Sequence, residues 1–152
     1  MPKAEEQLPR TYHETFSRLG SYGMPILIVE DDFNSRQGLK LSLMAEGYCV
    51  EAVRDGLQAI KTVLERRFIA AIIDINLPTI LDVTITGWDL VRIFRSIDPE
   101  MAIIVVSGED GLERQAMQLH VTGCLRKPIM PSQLKTMLKS LIPYRSNLSP
   151  TS

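Results

Sequence analysis

Acidic, hydroxyl and amine side chains follow several short apolar runs in this sequence. Clustered carboxylates repel one another unless a cation lies among them, and oxygen ligands of this kind suit Mg²⁺. An aspartate can also act as a nucleophile and form an aspartyl phosphate, while an ammonium and a hydroxyl can neutralise charge on a phosphoryl group. These types therefore indicate phosphoryl chemistry. The residues concerned are Glu30, Asp31, Asp32, Asp74, Ser107 and Lys127.

The apolar runs are continuous rather than alternating, which is typical of strands covered on both faces of a parallel sheet. Helical patterns fall between them, so the chain alternates β and α five times. We therefore predict an α/β, doubly wound fold with a five-stranded parallel sheet and helices on both faces. Such folds bind ligands at the carboxyl ends of their strands, where the reactive side chains would meet. The strand candidates are residues 26–29, 48–53, 69–73, 102–106 and 123–125.

Several residues predict where the helices begin and which side they bury. Asn34 is a candidate N-cap for the first helix, and Asp110 with Glu113 resembles a capping box for the fourth. In the second helix, Leu57, Ile60 and Leu64 fall on the side expected to be buried.

Composition favours a cytoplasmic protein that binds neither nucleic acid nor membranes. The formal net charge is -1 and the basic residues are scattered, so no basic surface is expected. No apolar run is long enough to cross a bilayer, and the first residues lack the apolar core of a signal peptide. Cys49 and Cys124 form no metal-like pattern and are predicted to be small buried residues.

Both ends of the chain fall outside the predicted domain at residues 24–142. In the extension at residues 1–23, Tyr12, Phe16 and Leu19 share one side of a short amphipathic helix predicted over residues 11–20. That helix could pack on the domain itself or contact a partner. Residues 143–152 are polar and are expected to form a disordered tail.

Four segments resemble the receiver domain of bacterial response regulators, the signalling proteins of two-component systems. They are ILIVEDD (26–32), IIDINLP (72–78), VVSGED (105–110) and LRKP (125–128), in the order and spacing of that family. The resemblance covers about residues 24–142. It implies a stand-alone receiver with the flavodoxin-like strand order 2-1-3-4-5.

The resemblance also implies a role for each reactive residue. Asp74 would be the phosphoacceptor, Lys127 would pair with the phosphoryl group, and Ser107 would contact that group after transfer. Mg²⁺ or Mn²⁺ would be held by carboxylates and by one backbone carbonyl. The implied metal ligands are Glu30, Asp31, Asp74 and the carbonyl of Asn76.

Neighbouring residues receive supporting or neutral roles. Asp32 is more readily a supporting residue than a ligand, Gly108 would leave room for approach to the site, and Pro128 would follow a cis peptide bond. His120 and His13 are interpreted as surface or helix-end residues rather than phosphohistidine sites.

The implied function is a switch rather than an enzyme, with at most self-phosphorylation from small donors and self-dephosphorylation. A sensor histidine kinase or a histidine phosphotransfer protein would donate the phosphoryl group, and a downstream protein target would respond. A homodimer through the fourth and fifth helices is also open. The alternatives are a phosphorylation-independent interaction module and a fragment of a larger regulator. Phosphatases of the haloacid dehalogenase type fit less well, because they need an aspartate where Asn76 stands.

Two features depart from the family pattern. Receivers usually place three residues between the proline after the phosphoacceptor and the next glycine, whereas residues 79–86 separate Pro78 from Gly87 here. We expect this longer loop to shield the phosphoryl site or to contact a partner. Cys124 stands where many receivers carry Tyr or Phe, so the output surface is expected to switch without a large ring movement.

Overall fold

The computed structural model describes residues 25–142, in which helices cover both faces of a parallel sheet. The predicted helix over residues 11–20 and the tail at 143–152 lie outside the described residues. Among residues 25–142, no helix is both long and apolar enough to cross a membrane. The elements in chain order are β1 (Pro25–Val29), α1 (Phe33–Ala45), β2 (Cys49–Val53), α2 (Gly56–Glu65), β3 (Ala70–Asp74), β4 (Thr79–Ile80), β5 (Val83–Thr84), α3 (Gly87–Ile97), β6 (Ala102–Ser107), α4 (Glu113–Gln118), β7 (Gly123–Arg126) and α5 (Pro131–Leu141).

The main sheet has five strands in the order β2-β1-β3-β6-β7, and all of its pairings are parallel. β4 and β5 form a separate antiparallel hairpin, so β6 and β7 are the fourth and fifth strands of the main sheet. The predicted order 2-1-3-4-5 is therefore confirmed. The three central strands, β1, β3 and β6, are buried along their whole length. Their continuous apolar sequences follow from this, since both faces are covered.

Helices on the two faces enclose separate apolar cores. Leu43 of α1 and Leu138 of α5 pack with one side of the sheet. Ala59 of α2 and Phe94 of α3 pack with the other side. The carboxyl ends of β1, β3, β6 and β7 are therefore held at one edge by packing from both faces.

The expectation that both cysteines are buried was wrong. Cys49 begins β2 and Cys124 lies in β7, and both side chains are exposed. These are the two edge strands of the sheet, which have a neighbouring strand on one side only. Edge strands are covered less completely than central ones, so a small apolar residue there need not be buried.

Two helix starts differ from the prediction. The N-cap of α1 is Asp32 rather than Asn34, which lies inside the helix. In α4 no capping side chain bonds to the first turn, and the helix begins at Glu113. Asp110 instead forms an ion pair with Arg126 across the loop. Asp110 therefore contacts a residue distant in the sequence instead of capping the helix that follows it.

The buried side of α2 also differs from the prediction. Of the three predicted residues, Ile60 packs partly buried against the core, whereas Leu57 and Leu64 are exposed and Ala59 and Val63 are buried instead. Smaller residues thus face the core in α2, and the two leucines lie on the side away from it.

Candidate functional site

Three carboxylates meet at the carboxyl edge of the sheet. Glu30 and Asp31 follow β1, and Asp74 is the last residue of the neighbouring strand β3. One oxygen from each of the three lies within 4.8 Å of the others. Glu30 and Asp74 are buried, whereas Asp31 is exposed. The parallel register of β1 and β3 brings together side chains that are far apart in the sequence.

Lys127 is the cation beside this cluster. Its Nζ atom lies 2.7 Å from Asp74 Oδ2 and 3.3 Å from Glu30 Oε1. The backbone N–H of Lys127 donates to the carbonyl of Ser107 at 2.8 Å, which aligns the end of β7 with the end of β6. The peptide bond between Lys127 and Pro128 is cis, as the resemblance implied.

The second oxygen of Asp74 is held by the backbone. Asp74 Oδ1 accepts a hydrogen bond from the N–H of Asn76 at 3.0 Å, so both carboxylate oxygens have a donor. This bond also brings Asn76 close to the acidic cluster. A metal-ligating role for the Asn76 carbonyl remains a prediction.

Burial and charge shift two ionisation equilibria at the site. Burial raises the pKa of Glu30, and the nearby charge of Asp74 acts in the same direction. Burial by itself would lower the pKa of Lys127. Its hydrogen bond to Asp74 and the charges of Asp74 and Glu30 outweigh that effect, so the pKa of Lys127 is raised. Lys127 is therefore held in its charged form.

The donor set fits a hard divalent cation. With all groups ionised, three carboxylates face a single ammonium, which leaves an excess of negative charge. Clustered oxygen ligands and uncompensated charge suit Mg²⁺, which binds through few carboxylates and keeps several waters. Glu30, Asp31 and Asp74 are thus suited to hold such an ion, with Lys127 beside it.

Arg36 and Asp32 shape the acidic loop, and the role of Arg36 was missed from the sequence. Its guanidinium donates to the backbone carbonyls of Glu30 and Asp31 at 3.0 and 3.1 Å. Asp32 accepts the N–H of Ser35 at 2.8 Å and donates its own N–H to Glu30 Oε2 at 3.1 Å. Hydrogen bonding from Ser35 lowers the pKa of Asp32. The sequence offered no signal for this role, because Asn34 rather than Asp32 was the predicted N-cap.

A family model, the response regulator receiver domain, matches residues 26–139. The chain belongs to this family. Curated relatives include the response regulator MprA of Mycobacterium sp. (strain KMS), which is 28% identical over 119 residues, covering 77% of this chain and 50% of that protein. The probable transcriptional regulatory protein SilR of Salmonella typhimurium is 27% identical over 121 residues, covering 78% of this chain and 51% of that protein. This chain spans about half the length of these relatives.

Solved structures of other receivers have the same fold. Chemotaxis protein CheY4 of Vibrio cholerae is 28% identical with a TM-score of 0.70, covering 78% of this chain and 98% of that one. A CheY-like receiver domain protein of Methanospirillum hungatei JF-1 is 26% identical with a TM-score of 0.73, covering 82% of this chain and 97% of that one. Receiver domains generally bind Mg²⁺ through acidic residues, and the acidic cluster of this receiver has the corresponding character.

In this receiver, Ser107 is buried at the end of β6. Its Oγ accepts the backbone N–H of Glu109 at 3.0 Å, so it closes the loop in the manner of a cap. A contact between Ser107 and a phosphoryl group stays a prediction. A β-carbon added at Gly108 would meet no atom within 4 Å, which leaves the approach beside Ser107 open.

Cys124 and Ser107 line the same small cavity, of about 140 Å³, between β7 and the start of α4. Although Cys124 is exposed, its thiol is partly screened from water, and this desolvation together with the charge of Glu113 raises its pKa. The resemblance implied an aromatic ring at this position, and the structure places the smaller Cys124 side chain beside the cavity. Switching of the output surface without a large ring movement stays a prediction.

His120 lies outside the cluster, at a helix end as the sequence suggested. His120 is exposed just beyond the end of α4, with a positive φ of 57°. Trp88 packs partly buried against the core at the start of α3. His13 lies outside the described residues.

The loop between Pro78 and Gly87 forms a hairpin that the sequence did not predict. Thr79 and Thr84 pair across β4 and β5, with their hydroxyl oxygens 2.7 Å apart. Leu81 and Asp82 form the turn with φ values of 53° and 62°. Both central residues of a type I′ turn have positive φ, but the usual Asn-Gly or Asp-Gly signal is absent.

Gly87 closes this hairpin directly behind Asp74. A β-carbon at Gly87 would lie 2.5 Å from the backbone oxygen of Asp74 and 2.6 Å from Ile75 Cα. The N–H of Gly87 also donates to the carbonyl of Ile75 at 3.0 Å. The base of the insertion is thus tied to the strand end that carries Asp74.

We expect Gly87→Ala to lower the free energy of unfolding by about 1–3 kcal/mol, because the added methyl group would overlap backbone atoms. Gly38→Ala is the matched control. Gly38 lies within α1 and its added β-carbon would meet nothing within 4 Å, so this change should stabilise by about 0.5–1 kcal/mol. Urea unfolding of both variants measures the difference. An equal change in the free energy of unfolding of the two variants would contradict the close approach of Gly87 to the backbone of Asp74 and Ile75.

A cleft of about 570 Å³ opens beside the acidic cluster, between α1 and the loop after β7. Glu30 and Lys127 lie in its wall with Pro128 and the α1 residues Ser35 and Gly38. Glu30 and Lys127 thus connect this cleft to the acidic cluster, whereas the buried Asp74 does not line it.

Proposed function

We propose that this receiver is a phosphorylation switch that accepts a phosphoryl group on Asp74 from a histidine kinase or a histidine phosphotransfer protein. The observation that carries the proposal is the position of Asp74. Its carboxylate is buried among Glu30, Asp31 and Lys127, next to an open cleft. A Mg²⁺ or Mn²⁺ ion held by Glu30, Asp31, Asp74 and the Asn76 carbonyl would supply positive charge that balances the phosphoryl oxygens.

The proposed step moves one phosphoryl group between two nucleophiles. An oxygen of Asp74 forms a bond to phosphorus as the bond from phosphorus to a donor histidine nitrogen breaks. The electron pair of the broken bond stays on the imidazole, and the product is an acyl phosphate. Lys127, already 2.7 Å from Asp74, is placed to stabilise charge on the transferred group. Ser107 would then bind a phosphoryl oxygen.

Output and location form part of the proposal. The new charge on Asp74 would bias a surface that binds a downstream protein, and two copies could pair through α4 and α5. We expect the chain to act in the cytoplasm, without contacting nucleic acid or inserting into a membrane. It would be a phosphoacceptor rather than an enzyme with a separate substrate. A role as the receiver part of a larger regulator is an alternative.

Uptake of phosphate from phosphoramidate tests the proposal, because its P–N bond resembles that of phosphohistidine. We expect the intact mass to increase by one phosphoryl group with Mg²⁺ and not with a chelator. Asp74→Asn should abolish the increase. Asp82→Asn, the same change at the hairpin turn, should not. If neither the small donor nor a histidine kinase modified the wild type, the phosphorylation-independent interaction module would become the better account.

The hairpin is proposed to shield the phosphoryl site or to contact a partner. Deleting residues 80–83 would join Thr79 to Thr84, which are already cross-strand neighbours, and would keep Ile85 packed against Gly56. We expect at least a roughly threefold change in the rate of loss of the phosphoryl group, because water would reach Asp74 more freely. Following the adduct mass over time measures this rate. Unchanged gain and loss rates would contradict the shielding role.

A further inference from the structure

Helix α1 is apolar on two sides. Leu39 and Leu43 face the core, as expected for a surface helix. Three further apolar side chains lie on the opposite side, where polar residues are usual. They form what we call the outer stripe, made of Phe33, Leu41 and Met44, which are 62%, 62% and 49% exposed. Their spacing of eight and three residues places them on one side of the helix.

The sheet begins at the end of the domain where α1 finishes. Pro25, the first residue of β1, pairs with Cys49, which follows the C-cap of α1 at Glu46 by three residues. The backbone N–H of Tyr48 also bonds to the carbonyl of Leu43. The start of β1 therefore lies at the same end of the domain as Met44.

The preceding residues carry a complementary pattern. In residues 11–20, Tyr12, Phe16 and Leu19 recur at helical spacing, which predicts one apolar side. A helix of that length would be about 15 Å long, and the outer stripe spans about 16 Å. Pro25 lies in the sheet and the outer stripe on the far side of α1, so the residues between position 20 and Pro25 must cross two packed layers of roughly 8–10 Å each, and fully extended they reach about 18 Å.

We propose that residues 11–20 dock as an amphipathic helix on the outer stripe of α1 within the same chain. Tyr12, Phe16 and Leu19 pack against Phe33, Leu41 and Met44, so each set covers apolar surface that the other leaves exposed. The occupant is intramolecular because the segment is tethered next to the stripe, which gives it a high effective concentration there. This proposal does not rest on phosphorylation of Asp74.

Trypsin cleavage after Arg18 in the full chain tests the docking, with the fragment from residue 19 followed by mass. We expect Leu41→Glu to speed this cleavage at least about tenfold, because a charge on the stripe would release the segment. Tyr12→Glu should have the same effect from the other side, and it lies outside the stretch that trypsin contacts around Arg18. Leu64→Glu is the matched control, since Leu64 is equally exposed but lies on α2.

Three results would overturn the proposal. The first is a wild-type cleavage rate already equal to that of Leu41→Glu, and the second is an equal increase of that rate in Leu64→Glu. The third is protection of Arg18 that disappears on dilution together with a dimer detected by light scattering, since a second copy would then be the occupant. Protection that is independent of protein concentration and lost only in Leu41→Glu and Tyr12→Glu supports the intramolecular contact.

Discussion

Asp31→Asn should weaken Mg²⁺ binding by at least about tenfold without destabilising the metal-free protein. Asp31 contributes one of the three clustered carboxylate oxygens, so its loss removes both a ligand and a negative charge. In the absence of metal, that same loss relieves repulsion with Glu30 and Asp74. Calorimetric titration with Mg²⁺ and urea unfolding in a chelator measure the two effects.

The adjacent Asp32 offers a close control for this prediction. Asp32→Asn keeps a good N-cap for α1, because asparagine caps helices about as well as aspartate. We expect its Mg²⁺ affinity to stay near that of the wild type. If Asp32→Asn weakened binding as much as Asp31→Asn, the assigned set of metal ligands would be wrong.

Lys127→Ala should destabilise the metal-free protein by about 1–3 kcal/mol, because two buried carboxylates would lose their neighbouring cation. Breaking a fully buried ion pair costs more, about 3–5 kcal/mol. We expect a smaller loss here because the Lys127 side chain is 34% exposed. We also expect Mg²⁺ to restore much of the lost stability, since the ion supplies positive charge at the same cluster. Urea unfolding with and without Mg²⁺ measures both.

Lys135→Ala is the control for Lys127→Ala. The Lys135 side chain is 33% exposed and lies 3.2 Å from Glu46, whose side chain is 36% exposed. Because this pair lies at the surface, we expect an effect of about 0–1 kcal/mol and no response to Mg²⁺. Similar losses in the two variants would show that the burial of Asp74 and Glu30 does not determine the strength of the interaction.

The sequence predicts the sheet and the convergence of the site well, for a physical reason. A strand covered on both faces must be apolar along its length, so β1, β3 and β6 can be recognised without knowledge of their neighbours. Parallel strands then bring their carboxyl ends to one edge. This is enough to predict that Asp74 lies near Glu30 and Asp31.

Features decided by tertiary contacts could not be predicted in the same way. Asp110 has the pattern of a cap but pairs with Arg126, and Arg36 supports the acidic loop through backbone carbonyls. The turn at Leu81 and Asp82 lacks the residues that usually signal positive φ. In each case the outcome depends on partners or strain that local spacing does not encode.

The central claim is that Asp74 carries the phosphoryl group, and locating the adduct tests it most directly. An acyl phosphate is reduced by borohydride to an alcohol, which turns a phosphorylated aspartate into homoserine. After incubation with acetyl phosphate and Mg²⁺, reduction and peptide mass mapping should find homoserine at position 74 and at no other aspartate. Homoserine at Asp31 or Asp32 instead, or at no position despite a phosphoryl adduct on the intact protein, would contradict the claim.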